Sequence, residues 1–463
     1  MAMNSDALQA KVTELATALN VPGVAVGVIL NGEEAYAYHG VTSVENPLEV
    51  DETTLFQFGS TGKTFTATAM LRLVEQGKVD LDAPVRTYVP ELKLKDEDVA
   101  ARVTVLQLFN HTAGWEGDLM DSTGDGDDAL ALYVARMERL EQVTPLGTAV
   151  SYNNASLSLA GRVIEKVTGL TYEQAVRELV FEPLGLDDTF FFMSEIMTRR
   201  FSVGHTRHED GTITVARPWG LPRGGAPAGG MTATAKDQIA WARFHLGDGT
   251  SASGTKVLST ELLRKMQEPT FDMRGSALGD YVGISWLMKD VDGVRLVGHG
   301  GTTIGQYSEF TMVPERGFAI IAMTNCGPNG STLNTEIERW ALEHFIGVTA
   351  EEPEPVEVDA ERLAEYVGRY ETIAATVDVT AEGGRLLAQV AIKPEMKEAL
   401  GEDDAEPQPP FVFGLLSADG DQYVVAEGPA KGMKGYFSRG SDGRVDGVHV
   451  GGRLASRVAV SVE

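Results

Sequence analysis

Phe58-Gly59-Ser60-Thr61-Gly62-Lys63-Thr64 runs directly into Phe65-Thr66-Ala67-Thr68-Ala69-Met70-Leu71-Arg72-Leu73-Val74-Glu75. Phe65, Ala69 and Leu73, with Met70 and Val74 beside them, recur at helical spacing and predict a helix buried near the middle of a domain. Ser60 falls at its N-terminus and Lys63 one turn later on the same side. A hydroxyl and an amine held that way suit a nucleophile and its proton acceptor, the Ser-x-x-Lys arrangement. Taken singly, the match is weak. Ser253-Gly254-Thr255-Lys256 fits the same pattern in a stretch that reads as surface loop, and a serine before a helix is commonly just an N-cap. A phosphate loop is excluded, because it needs a glycine five residues before Gly62, where Gln57 stands.

The whole chain sets bounds on what this helix can serve. At 463 residues there is length for a large core and two domains. A hydrophobic share of 43% with 23% charged residues is ordinary for a soluble globular protein. The net charge of -28 speaks against nucleic acid or an anionic membrane as partner. Cys326 is the single cysteine, which excludes an intrachain disulfide and reads as a small core residue. No basic start with an apolar h-region opens the sequence, and no apolar run near either end is long enough to span a bilayer, so a cytoplasmic location is expected.

Before the central helix, Leu8, Val12, Leu15 and Leu19 mark a helix over about Asn4 to Leu19. Val24 to Leu30 and Glu34 to His39 read as strands joined at Asn31-Gly32 by a type I′ turn. After it, residues 117–128 are Gly/Asp-rich and predict a mobile surface loop. Leu159, Val163 and Val167 predict a helix stopped by Gly169. Thr171-x-x-Gln174 is a capping box for a helix that ends near Pro183, and 202–230 reads as a long loop. Strands are expected at Ile284 to Met288, Val294 to Val297, Ser308 to Val313 and Phe318 to Thr324, then a helix over Ser331 to Phe345. The fold class is therefore α+β: an antiparallel sheet built from both ends of a domain spanning 1–350 and flanked by helices. Residues 351–358 form an acidic, Pro-containing linker. Over 359–463, short strand-like pieces around Thr376, Leu386, Phe411, Tyr423, Gly435, Val445 and Leu454 alternate with turn dipeptides such as Gly383-Gly384 and Asp442-Gly443, the pattern of a small antiparallel β-barrel. That tail holds no cluster of catalytic residue types and reads as accessory.

Four segments, in this order, resemble the serine β-lactamase/DD-peptidase superfamily, in particular its class C-like branch. Ser60-Thr61-Gly62-Lys63 is similar to the nucleophile motif, and Tyr152-Asn153-Asn154 to the Tyr-x-Asn element. His299-Gly300-Gly301 stands where the family carries Lys-Thr-Gly or His-x-Gly. His111-Thr112-Ala113-Gly114 is similar to His-Thr-Ser-Gly, with Ala113 replacing Ser. The likeness covers roughly residues 5–346, and the tail resembles the lipocalin-like barrel that some D-aminopeptidase-like and archaeal peptidase relatives append.

The resemblance gives these residues roles that elementary chemistry supports. Ser60 Oγ attacks an ester, amide or lactam carbonyl, with Lys63 and Tyr152 as a coupled base pair. Asn154 is expected to fix Lys63 and the acyl amide. Gly301 lines the site, and the backbone N–H groups of Ser60 and Thr302 receive the oxyanion. Singly, each has a plainer explanation: Tyr152 as packing, Asn154 as a helix cap, His299 with its glycines as a strand bulge. His111 fits a structural hydrogen-bonder, and His205-x-x-His208-Glu209 lacks the helical context of a metal site. No cofactor or metal is expected.

A histidine in the third motif is largely neutral at pH 7 and attracts a substrate carboxylate less than lysine would. The expected function is therefore a serine hydrolase of small esters or amides (esterase, D-amino-acid amidase or D-aminopeptidase type), and a homo-oligomer is compatible with it. A β-lactamase or DD-carboxypeptidase is the alternative, and a non-catalytic acyl-binding sensor the alternative of another class. The barrel is expected to narrow the site entrance or to mediate association.

Overall fold

The computed structural model describes residues 5–119, 121–394, 410–428 and 430–458; the expected helix start at Asn4 lies outside them. Helix α1 (Ser5–Leu19) buries Leu8, Val12 and Ala16, one stripe at i, i+4, i+8. Strand β1 (Gly23–Leu30) is Gly-Val-Ala-Val-Gly-Val-Ile-Leu, a nearly continuous apolar run covered on both faces. Val24, Val26 and Val28 pack with α1, while Ala25 and Ile29 face the opposite core, as a period of two requires. Asn31 (φ 50) and Gly32 (φ 89) turn the chain into β2 (Glu33–Gly40), the two positive φ values of a type I′ turn.

The other strands of this sheet come from the second half of the chain: β3 (Phe271–Ser276), β4 (Gly279–Val282), β5 (Leu287–Val291), β6 (Val294–Gly298), β7 (Gly301–Thr302), β8 (Tyr307–Val313) and β9 (Phe318–Thr324). The nine-stranded antiparallel sheet has the order β2-β1-β9-β8-β6-β5-β4-β3, with β7 paired to β8. The two ends of the domain therefore meet at β1 and β9, in register from Val24↔Thr324 to Leu30↔Phe318. Against one face lie α1 and the helix Asn329–Ile346, whose Leu333 and Ile337 complete that core. Against the other lies the helical half with the central helix α2 (Gly62–Glu75).

The spacing of α2 predicts one apolar face, yet every residue from Gly62 to Leu71 is buried. Its three threonines make this tolerable by satisfying their own hydroxyls. Thr64 donates to Thr61 O (2.7 Å), Thr66 to Pro227 O (2.7 Å) and Thr68 to Thr64 O (2.9 Å). Phe65 stacks on Trp241 with ring centroids 3.8 Å apart, which ties the helix to the layer beneath the sheet.

Several expectations change. The Thr171 capping box forms, and helical structure runs on through Leu184 and stops at Gly185 (φ 69), next to Pro183 as expected, with a π-helical stretch over Arg177–Phe181 that the sequence does not announce. Residues 202–230 are not simply loop. His205–Arg207 and Ile213–Val215 pair as a hairpin, and Cys326–Gly327 adds a parallel strand to it. Strands β3 and β4 went unread because Phe-Asp-Met-Arg-Gly-Ser shows no clean alternation.

Beyond residue 350 a closed barrel of eight strands follows (368–371, 375–382, 385–392, 411–415, 422–427, 434–439, 445–450 and 453–458). Tyr370, Phe413, Tyr423 and Phe437 fill it. The linker lies against this barrel, Val356 N donating to Leu415 O at 2.8 Å.

Candidate active site

The site is assembled where the start of α2 meets β7. Gly59 has φ +52, and a Cβ there would lie 2.6 Å from Thr302 N and 2.8 Å from Thr302 O. Only glycine allows that approach. A Cβ on Gly301 would sit 2.0 Å from Phe58 O and 2.8 Å from Ser60 N. Glycines on both sides thus let the backbone of Ser60 and the strand carrying Thr302 touch, which brings together the two N–H groups expected to receive an oxyanion. Thr61 pins the same junction by donating to His299 O (2.7 Å).

Lys63 is completely buried. Its Nζ is hydrogen bonded to Ser60 Oγ at 2.9 Å and donates to Ala228 O at 2.7 Å. Burial, and secondarily the Arg453 guanidinium, hold the amine well below the ordinary lysine range, against a smaller opposite pull from Asp118. That shift favours the neutral amine, the form able to accept a proton.

Tyr152 precedes the helix Asn154–Thr168, whose N-cap Asn153 accepts from Ser156 N (2.8 Å). Its ring lies 4.8 Å from Lys63 Nζ. Burial pushes the phenol upward, and its hydrogen bond toward Ser60 and the nearby Arg453 pull it back. The hydroxyl lies 3.4 Å from His299 Nε2, and His299 Nδ1 lies 2.6 Å from Gly300 O. The carbonyl fixes the tautomer: Nδ1–H donates to it, leaving Nε2 to accept from the phenol. Burial, then Lys63, lower the His299 imidazole to about 3, so this residue is neutral at pH 7. His111 acts as a hydrogen-bonding support. Its Nδ1 accepts from Asn153 N (3.2 Å), and its ring lies 4.6 Å from that of Tyr152.

Ser60, Lys63, Tyr152, His299, Gly301 and Thr302 therefore converge. Asn154 is placed differently from the expectation: among the described residues no hydrogen bond joins it to Lys63, and its Nδ2 donates to Asp118 Oδ1 (2.8 Å). Asp118 belongs to the stretch expected to be a mobile surface loop, yet it is buried, and Gly117 O accepts the N–H of both Asn154 and Ala155 (2.9 Å each).

The barrel also reaches this site. Arg453, in its last strand, makes a two-pronged ion pair with Asp118, from Nε (2.5 Å) and Nη2 (2.9 Å). It places its guanidinium 5.2 Å from the Tyr152 ring. Sequence reasoning missed both charges, since no motif spacing links residues 335 apart. His205 also resolves plainly: its ring nitrogens are taken by Val44 N (3.1 Å) and Asn325 O (2.7 Å). Among the described residues no carboxylate, histidine or cysteine cluster could hold a metal ion, and no helix is long and apolar enough to cross a membrane.

The Beta-lactamase family model matches residues 8–344. This chain belongs to the beta-lactamase family. It is 34% identical over 373 residues to "Penicillin-binding protein 4" of Amycolatopsis lactamdurans, covering 78% of this chain and 96% of that one. It is 28% identical over 287 residues to a "Beta-lactamase" of Escherichia coli (strain K12), covering 62% and 71%. Among solved structures, the crystal structure of SurE with D-Leu superposes with a TM-score of 0.77 at 24% identity, covering 98% and 99%. The octameric penicillin-binding protein homologue of Pyrococcus abyssi superposes with a TM-score of 0.66 at 21% identity, covering 96% and 98%. Both cover the barrel as well as the hydrolase-like part.

Proposed function

We propose that this serine hydrolase family member opens small esters or amides through an acyl-enzyme on Ser60, with Lys63 as resting base and Tyr152 as proton relay. The observation that carries the reading is the 2.9 Å contact between Ser60 Oγ and the buried Lys63 Nζ. As Oγ attacks the substrate carbonyl, its proton passes to the Lys63 amine, and negative charge develops on the carbonyl oxygen. The N–H groups of Ser60 and Thr302 stabilise that charge; losing one such donor costs about 3 kcal/mol at the transition state. Tyr152, protonated at rest, passes a proton to the leaving oxygen or nitrogen and recovers one from Lys63. Water then attacks the acyl-enzyme with the same groups acting in reverse.

The neutral His299 favours substrates that need no fixed cation at the third motif, hence esters and amino-acid amides, D-configured ones included. A second reading, β-lactam binding or DD-carboxypeptidase action, is favoured by the 34% identity to a protein named penicillin-binding protein. A panel of p-nitrophenyl esters, D- and L-amino-acid p-nitroanilides and a chromogenic cephalosporin, run with Ser60→Ala as control, separates them. Ester or D-anilide release that disappears in Ser60→Ala supports the first reading, and dominant cephalosporin cleavage the second. Undiminished ester turnover in Ser60→Ala contradicts both.

A further inference from the structure

The hairpin Val450-Gly451-Gly452-Arg453 joins the last two barrel strands, turning at two glycines of positive φ (55 and 84). It adds itself to the segment that leads into the catalytic-site helix: Tyr152 N donates to Gly452 O (2.9 Å), and Leu454 N to Ser151 Oγ (3.3 Å). Gly452 adopts φ +84, a conformation that favours glycine, and its Cα faces the Leu278 side chain. Behind the tip, fully buried His449 stacks on Tyr436. Arg453 is thus delivered by a fitted element. With 32% of its side chain accessible it is half-buried.

We infer that Arg453, carried in by the barrel, is a positioning residue of the Ser60 centre: it clamps Asp118, through Asp118 it holds the Asn154 amide, and it sets a cation beside the Tyr152 ring, which Lys63 also approaches. The inference rests on the Ser60 reading above. Lys63 faces Ser60 on its own helix, the Ala228 carbonyl, the Tyr152 phenol and the imidazoles of His111 and His299, both held neutral by burial. Beyond these, Asp118 and Arg453 act on it with opposite signs. Paired, they oppose one another, with Arg453 the larger influence. Without Arg453, the carboxylate of Asp118 is left to draw a proton onto Lys63, and the base is lost at a higher pH.

The test is kcat/KM against pH for p-nitrophenyl acetate with the full chain. Arg453→Gln is expected to move the acidic limb upward by about one unit or more, the size of a single neighbouring-charge effect. Activity on that limb then falls about tenfold, since each unit is a factor of ten in protonation. Arg453→Lys keeps the charge and is expected to restore the limb but not full kcat, because the two-pronged contact is gone. Asp118→Asn is expected to move the limb to lower pH, and the double variant Asp118→Asn/Arg453→Gln to bring it back toward wild type. Should Arg453→Gln be too unstable to assay, Arg453→Lys and Asp118→Asn decide between them. Limbs that stay at the wild-type position, with only melting temperature or overall kcat lowered, overturn the inference and make the hairpin a structural strut. Ser60→Ala, assayed in parallel, separates the failures: turnover in that variant sinks the hydrolase reading itself, whereas a dead Ser60→Ala with unmoved limbs sinks only the role of Arg453.

Discussion

Lys63 Nζ and Ser60 Oγ stand 2.9 Å apart across the first turn of a helix buried on all sides, and the other partner of the amine is a neutral carbonyl, Ala228 O at 2.7 Å. No carboxylate is hydrogen bonded to that lysine among the described residues, so nothing offsets its loss of hydration by direct pairing. Having lost its solvent, an amine in that setting is pushed toward losing its proton as well.

Lys63→Met is therefore expected to lower kcat/KM for esters by about 10²–10⁴-fold, the usual contribution of a positioned general base. Lys63→Arg is expected to be as impaired, because a guanidinium keeps its charge even when buried. Steady-state kinetics checks this, with circular dichroism to confirm folding. An active Lys63→Arg variant would contradict the assignment of the base.

Gly301→Ala places a methyl group against Phe58 O and Ser60 N, at 2.0 and 2.8 Å before relaxation. The expected result is a loss in kcat of about 10²–10³-fold, comparable to removing an oxyanion donor, with KM changing far less. Separate determination of kcat and KM reads the distinction. A variant with wild-type kcat would remove the N–H pair from the mechanism.

Phe65→Ala tests the packing beneath the site. The ring is fully buried and stacked at 3.8 Å on Trp241, so truncation is expected to cost about 3–5 kcal/mol. Chemical denaturation gives the value; a loss below about 1 kcal/mol would mean that the site collapses around the cavity.

Acid sensitivity follows from the buried histidines, three of which show the size of the effect. Burial lowers His245 and His299 to about 3 and His449 to about 4, from an ordinary 6.5. Between those values the unfolded chain binds protons that the folded chain refuses, so stability falls as pH drops below 6.5. Half-buried Glu309, raised by desolvation and then by Glu338, acts in the opposite direction, and its contribution cancels when two variants are compared. His245 lies among Trp241, Phe244 and Trp286 with neither ring nitrogen paired. His245→Phe is expected to lose less melting temperature than wild type between pH 7 and pH 5. Equal losses would contradict the linkage.

What the sequence makes legible follows from range. Short-range signals work well: the stripe of α1, the Asn31-Gly32 turn, the Thr171 capping box and the Gly169 stop all appear as read. The convergence of Ser60, Lys63, Tyr152 and His299 is legible through the ordered motifs that carry the family resemblance. Long-range pairing is not. Asp118 sits in a stretch whose glycines and aspartates look like solvent-facing loop, and Arg453 in a barrel with no catalytic cluster. Each acquires meaning only from the other. Asn154 is placed differently from the expectation for the same reason, since its partner is supplied by that unseen carboxylate.

The central claim is a covalent bond at Ser60. Intact-mass spectrometry on rapidly quenched mixtures with an activated ester, followed by peptide mapping, reads it directly. The account predicts a transient mass increase equal to the acyl group, located on the peptide that contains Ser60 and absent from Ser60→Ala. Turnover without any adduct on that peptide, or an adduct that persists in Ser60→Ala, would contradict it.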